Sequence, residues 1–281
     1  RRKLTTLPDN WLELVDEFER DFPNFVEFAE MLKDHFSLSA LGDRRIQIPA
    51  TLYVEPPGIG KTEALRWISK RFELPFTLID MACAQSSSAL AGSESFWGNS
   101  QPGQLFNLLA SQPNANPLVM LDELDKARGD ERFDPLAALH TLLEPAAARN
   151  FVDLSIRDLA VNASHVNWLA TANDLESLSK PILSRFSVLH IPAPSAEQVS
   201  TIVKSLYQRI RNESSWGQHF ASTLCEEVIG RMSALAPRQI RNTLQRAFGA
   251  AARAGRSDIL AEDLNSLTPE KPKIFGFIAS P

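Results

Sequence analysis

Between residues 50 and 191, short apolar runs alternate with stretches of helical periodicity. The runs Thr51–Val54, Phe76–Asp80, Leu118–Asp122, Val166–Thr171 and Ser187–Ile191 predict strands, and the apolar spacing near Thr62–Phe72, Gln104–Ala110 and Pro135–Leu143 predicts helices. Runs with little polar alternation need cover on both faces, and strands separated by helices favour a parallel sheet with helices on either side. In such sheets ligands bind beyond the carboxyl ends of the strands, so function is expected just after each run.

The flanks read differently. Residues 1–48 form a helical N-terminal segment, with Trp11, Leu12, Leu14, Val15 and Phe18 at one helical spacing and Phe25, Phe28, Ala29, Leu32 and Phe36 at another. Its simplest role is packing. After Ile191-Pro192-Ala193-Pro194 strand signals stop, and Ser195-Ala196-Glu197-Gln198 has the spacing of a capping box opening a helix. Val199, Ile202, Val203, Leu206 and Ile210 then share one face; Phe220, Leu224 and Val228 form a second stripe, and Ile240, Leu244 and Phe248 a third. The expected organisation is an N-terminal helical segment (1–48), an α/β domain (49–193), a small all-α domain (194–268) and a tail (269–281) interrupted by Pro269 and Pro272.

Composition narrows the function. Of 281 residues 44% are hydrophobic, enough for one large or two modest soluble domains. Lys and Arg number 29 against 34 Asp and Glu, and a net charge of -5 gives no overall attraction to nucleic-acid backbones. Cys83 and Cys225 lie far apart, which suggests neither a disulfide framework nor a zinc site and fits a reducing, cytoplasmic setting. No apolar run reaches the roughly 18 residues of a membrane helix. The chain begins with Arg rather than Met, so a fragment of a longer protein is expected.

The chemistry starts after the first run. Glu55-Pro56-Pro57-Gly58-Ile59-Gly60-Lys61-Thr62 matches the phosphate-loop pattern G-x-x-x-x-G-K-[ST] except at its first position, where Glu55 replaces glycine. Successive backbone N–H groups of the loop after Pro57, those of Gly58, Ile59 and Gly60 among them, and the following helix start make a concave anion site, and Gly58 and Gly60 let the chain close on phosphate. Lys61 would reach the β and γ phosphates, and Thr62 would offer a hydroxyl to Mg²⁺. Glu55 is expected to point away from the nucleotide, because a carboxylate repels polyphosphate. Leu118–Glu123 is an apolar run ending in two acids, the order of a Walker B strand. Asp122 would hold Mg²⁺, and Glu123 would orient and deprotonate the attacking water of ATP hydrolysis. At the end of the fourth run, Asn173 is a candidate sensor of the γ phosphate. Arg185, after the short helical pattern Pro181-Ile182-Leu183-Ser184, is a candidate arginine finger for a neighbouring subunit, with a surface ion pair as the alternative.

Together these residues resemble the AAA+ superfamily, and within it the ATPase module of Lon-type proteases, over most of residues 50–250. The run Leu121-Asp122-Glu123-Leu124-Asp125-Lys126 looks like the Lon-type Walker B stretch. Leu142-Leu143-Glu144-Pro145, Asn150-Phe151-Val152-Asp153 and Ala170-Thr171-Ala172-Asn173-Asp174-Leu175 are similar to later segments of that module. The resemblance implies a P-loop NTPase parallel sheet between helices, a small all-α lid, bound ATP and Mg²⁺, and a homo-oligomeric ring of six acting on protein. It makes Arg238, in Ala236-Pro237-Arg238-Gln239-Ile240, a sensor-2 residue. It also makes Trp97, with Phe96 beside it, the aromatic of a pore loop that grips extended polypeptide, a buried packing pair being the alternative. A Lon-type protease has a Ser-Lys proteolytic domain after the lid. None is found in this chain, which is expected to hydrolyse ATP and not to cut peptides itself.

Two other readings share the same motifs. A DNA-associated AAA+ ATPase, clamp-loader-like or helicase-like, is disfavoured by the acidic balance and the glycine-flanked aromatic pair. A module that binds ATP but barely hydrolyses it has only Glu55 in its favour.

Overall fold

A computed structural model describes residues 2–54, 58–84, 86–96, 98–127 and 134–267. The chain divides into two compact units, Arg1–Ala193 and Pro194–Pro281. In order, the first contains α1 (Trp11–Asp21), α2 (Val26–Leu41), β1 (Thr51–Val54), α3 (Lys61–Arg71), β2 (Phe76–Asp80), α4 (Ser88–Ala91), α5 (Gln104–Ser111), β3 (Leu118–Asp122), α6 (Leu139–Leu142), α7 (Pro145–Ala148), β4 (Phe151–Val152), β5 (Ala160–Val161), β6 (Asn167–Ala172), α8 (Lys180–Leu183) and β7 (Ser187–His190).

Five strands form one parallel sheet in the order β2-β3-β6-β1-β7. Strand alternation sorts their side chains between two cores. Leu118, Met120, Leu169 and Tyr53 face a layer made by α1, α2 and α3. Val119, Leu121, Trp168, Ala170, Ala172 and Leu52 face the opposite layer, which holds Leu105, Leu108, Leu139, Leu142 and Ile182. Cover on both faces is the fold-level reason that these runs lack a polar alternation.

The N-terminal helices are part of this architecture. Phe18 stacks on Phe22 at 5.0 Å between ring centroids and meets Trp67 of α3 edge-on at 5.6 Å, while Phe28 meets Tyr53 of β1 at 5.3 Å. Trp67 Nε1 donates to Asp21 Oδ2 at 3.0 Å, so the ring that fills the core also satisfies its polar atom. At the amino ends of the strands, buried Asn167 accepts from Ile48 N (2.6 Å) and donates to Asn116 O (3.0 Å). Asn116 in turn donates to the carbonyls of Thr5 and Ile46, both at 3.0 Å. Backbone groups left by the chain before β1 are thereby paired inside the protein.

One expectation shifts, and one element has no counterpart in the sequence pattern. The helix expected over Pro135–Leu143 shortens to α6, because residues 135–138 form turns: Asp134 Oδ1 accepts from Leu136 N (2.8 Å), a local side-chain bond that competes with helix. The antiparallel pair β4 and β5 is too short to leave a periodicity in the sequence.

The second unit is helical: α9 (Ala196–Glu213), α10 (Glu226–Met232) and α11 (Pro237–Arg253). Ser195 and Gln198 form a reciprocal capping box at the start of α9. Its core centres on Tyr207 stacked on Phe248 at 5.1 Å, with Tyr207 Oη donating to Ala221 O (2.7 Å). Among the described residues no helix is long and apolar enough to cross a membrane.

Phe18, fully buried at the meeting point of α1, α2 and α3, tests the weight of the aromatic layer. Phe18→Ala is expected to destabilise the first unit by about 3–5 kcal/mol, read as a lower denaturant midpoint with unchanged slope.

Candidate functional site

The position of the site is set by strand alternation. On β3, Leu118 and Met120 face α3, so Asp122, two residues further on, emerges on that side at the carboxyl end. On β6, Leu169 faces α3, so Thr171 does too. Strand β6 lies between β1 and β3, and with strands about 4.8 Å apart the ends of β1 and β3 stand about 10 Å from each other. Thr171 fills the interval.

The Thr171 hydroxyl is the centre of the arrangement, and its part is not evident from the motifs. Its Oγ1 donates to Asp122 Oδ1 at 2.6 Å and accepts from Glu123 N at 2.9 Å. Glu123 has φ 55° and ψ 51°, a left-handed backbone that costs a residue with a Cβ about 1–2 kcal/mol. The Thr171 bond and a bond from Lys126 N to Glu123 O (2.9 Å) hold it there. The strain turns the chain at the sheet edge and leaves the Glu123 side chain exposed beside half-buried Asp122. One hydroxyl thus orients the first acid and pins the backbone of the second. The signal was a β-branched hydroxyl one residue before the end of a wholly buried strand, and it gains meaning only from the strand order.

Between β1 and α3, Gly58 and Gly60 have φ 99° and 104°, and a Cβ added to either would meet nothing within 4 Å. Glycine is therefore required by backbone conformation and not by crowding, which leaves open space over the loop. Gly60 is the N-cap of α3 and supplies no side chain to cap it, so the helix start keeps its affinity for an anion. Lys61 and Thr62 are the first two residues of α3, both half-buried, and Ile59 is buried beneath the loop. Glu55 and Pro57 lie outside the described residues.

Around this edge the other residues separate. Asn173 follows β6 directly and is exposed. Asp125 turns inward, its side chain 1% exposed and its carboxylate 3.3 Å from Lys126 Nζ, so it does not join the edge. Arg185 follows α8; its Nη1 donates to Pro181 O of that helix, and its Nε is buried. Arg238 is exposed, in the first turn of α11 in the second unit. Phe96 is 72% exposed and is not a core residue, while Trp97 lies outside the described residues.

Asp80 was not expected here. It ends β2 in register with Asp122, accepts from Ala82 N (2.9 Å) through Oδ1 and from Cys83 Sγ (3.2 Å) through Oδ2. That carboxylate, with a smaller contribution from Glu123, holds the exposed Cys83 thiol above the usual cysteine range. The ends of β2 and β3 therefore carry three acids, Asp80, Asp122 and Glu123, on the sheet edge that also bears the glycine loop, with Asp80 the farthest from that loop. Among the described residues no group of three or more His, Cys, Asp or Glu is placed to hold a metal ion by itself, so a divalent cation at Asp122 would need phosphate oxygens and water to complete its coordination.

A five-stranded parallel sheet with a glycine loop after one strand, acids at the end of another and a polar strand between them defines a P-loop nucleotide-binding α/β protein. The family model for AAA, ATPase family associated with various cellular activities, matches residues 51–192, and the chain belongs to that family. It is 30% identical over 192 residues to Lon protease of Nitrosococcus oceani, covering 68% of this chain and 24% of that protein. It is 28% identical over 276 residues to the peroxisomal Lon protease homolog 2 of Oryza sativa subsp. japonica, covering 92% and 30%. The chain thus spans about a quarter to a third of the length of these relatives. A solved structure of Hsp104 in a closed state with ATPγS and FITC casein superposes with a TM-score of 0.69 over 89% of this chain and 49% of that one, at 15% identity, a likeness of fold.

Thr171→Val keeps shape and removes both hydrogen bonds. It is expected to slow ATP turnover about 10-fold or more while leaving nucleotide affinity within a few-fold, measured by steady-state kinetics beside equilibrium titration. Asp80→Asn is expected to lower the Cys83 pKa and raise its alkylation rate by iodoacetamide at neutral pH, because more of the thiol becomes thiolate. An unchanged rate would show that Asp80 does not control the thiol.

Proposed function

We propose that the chain is an ATP-binding and ATP-hydrolysing module that works in a homo-oligomeric ring, six-membered by resemblance to Lon, and unfolds, translocates or remodels protein. The observation that carries the catalytic half is the Thr171 link, which holds Asp122 and Glu123 together on the sheet edge that also bears the glycine loop. Gly58, Ile59, Gly60 and the start of α3 would cradle the phosphates, with Pro57 completing the loop, and Lys61 would balance their charge. Thr62 and Asp122 would hold Mg²⁺. The ion, when bound, offsets phosphate charge and orients the reacting groups.

Within that arrangement this chain's residues divide the work. Glu123 orients a water and accepts its proton, and exposure of its side chain beside a fixed backbone suits that task. Asn173 would lie against the terminal phosphate and the water. Arg185 would reach a neighbouring subunit's nucleotide, after exchanging its bond to Pro181 O for phosphate oxygens. Arg238 would report nucleotide state to the helical unit. Phe96 and Trp97 would grip an extended polypeptide through apolar contact that reads no sequence. Exposure of Phe96 on a loop supports that use.

Turnover per subunit, measured across protein concentration with Glu123→Gln as the blank, tests the reading. Turnover should rise with concentration, and Glu123→Gln should bind ATP yet hydrolyse it about 100-fold more slowly or worse. Turnover independent of concentration would remove the intersubunit role of Arg185, and undiminished turnover in the variant would remove Glu123 from catalysis.

A further inference from the structure

The loop that bears Phe96 leaves the core at Gly92 and returns at Gly103, and the two ends touch. A Cβ on Gly103 would come within 2.2 Å of Leu90 O and 2.5 Å of Gly92 N. Above this contact the chain crosses itself again: Ser93 N donates to Gln101 O (3.1 Å), Gln101 N to Ser93 Oγ (2.8 Å) and Ser100 Oγ to Ser93 O (2.9 Å). The loop is therefore closed at a neck.

A single carboxylate sits under that neck. Asp153, 0% exposed just beyond β4, accepts from Gly103 N through Oδ2 (2.8 Å) and from Ser155 N (2.9 Å) and Ser155 Oγ (2.7 Å) through Oδ1. All three donors are uncharged. Gly92, at φ 79°, lies so close that an added Cβ would stand 2.1 Å from Asp153 Oδ1. The next residue, Leu154, donates its N–H to Ala91 O (2.8 Å). A second link, the ion pair of Arg157 with Glu94, joins the same two loops higher up. That pair is exposed and weakened by solvent and salt, whereas a buried carboxylate cannot exchange its partners for water without loss. The buried contact dominates.

We propose that Asp153 is the positioning residue of the aromatic loop: it locks the loop's neck to the turn between β4 and β5, so that both loops move as one body and Phe96 is presented at a fixed height. This rests on reading that loop as the polypeptide grip. The base of the body is carried by the core that lines β3. Leu90, Leu105 and Phe151 pack in the cluster that holds Leu121, the residue before Asp122. A shift at the strand end thus has a rigid object to push against, which an open loop would not supply.

Asp153→Asn in the full chain tests this, because the amide can keep one set of acceptor contacts but presents N–H groups to the other. Hydrogen exchange should accelerate about 10-fold over residues 92–103 and 153–156 and stay unchanged over β3 and β6. Basal ATP turnover should remain within about twofold, while the concentration of unfolded casein that half-saturates stimulation rises about 10-fold. Ser155→Ala, which removes one donor and leaves the carboxylate, should give a smaller change in the same direction. Unchanged exchange at the neck would overturn the proposal. So would exchange that spreads through β3 and β6 with loss of basal turnover, since Asp153 would then be a general stabiliser. If Phe96→Ala leaves the casein response of the wild type intact, the grip reading fails, and the exchange data still decide whether Asp153 clamps the loop.

Discussion

A strand covered on both faces has one place to put a carboxylate, its exposed end. That constraint arranges the first unit. Strand β3 can carry Leu118 to Leu121 through two cores because each of those side chains finds apolar cover, and charge appears only where cover stops, at Asp122 and Glu123. The same holds on β6, where six buried positions precede exposed Asn173, and on β2, where Asp80 is the first exposed residue of its strand. Because all five strands run parallel, their ends fall on one side, and the polar groups are gathered by packing before any ligand selects them.

Strand order adds what parallel direction does not supply. With β6 between the strand of the glycine loop and the strand of the acids, the polar end of a third element is interposed where the two would otherwise meet. Thr171 uses that position twice over, once through its proton and once through a lone pair. A serine there would supply the same atoms but would lack the methyl group that restricts χ1. A strained Glu123 is tolerable because one of the two bonds that fix it comes from Thr171 in the rigid sheet and the other closes the turn that follows.

The sequence made much of this legible, for reasons that differ from residue to residue. Leu118–Asp122 was readable because a buried strand and its terminal acids are local features. Gly58 and Gly60 were readable because left-handed backbone leaves a compositional mark. The capping box of α9 was readable because its partners are three residues apart. What stayed hidden depends on contact between distant parts. Asp153 bonds to Gly103 across 50 positions, Thr171 to Asp122 across 49, and Asp80 meets Asp122 only through register. Strand order, which creates the last two, leaves no trace in any single segment. Pro135 looked like the start of a helix, but the short-range bond of Asp134 to Leu136 N wins over four residues.

The aromatic layer of α1, α2 and α3 also separates two meanings of the word domain. The family match begins at Thr51, at the first residue of β1. The physical unit starts much earlier, since Phe18, Phe25 and Phe28 roof the face on which Tyr53, Leu118, Met120 and Leu169 lie. A gene trimmed at the homology boundary would leave α3 alone over that face, with the apolar surface that α1 and α2 cover exposed to water. The aligned segment and the packed unit differ by about forty residues here, from Trp11 to Thr51, and the second boundary is the one an expression vector has to respect.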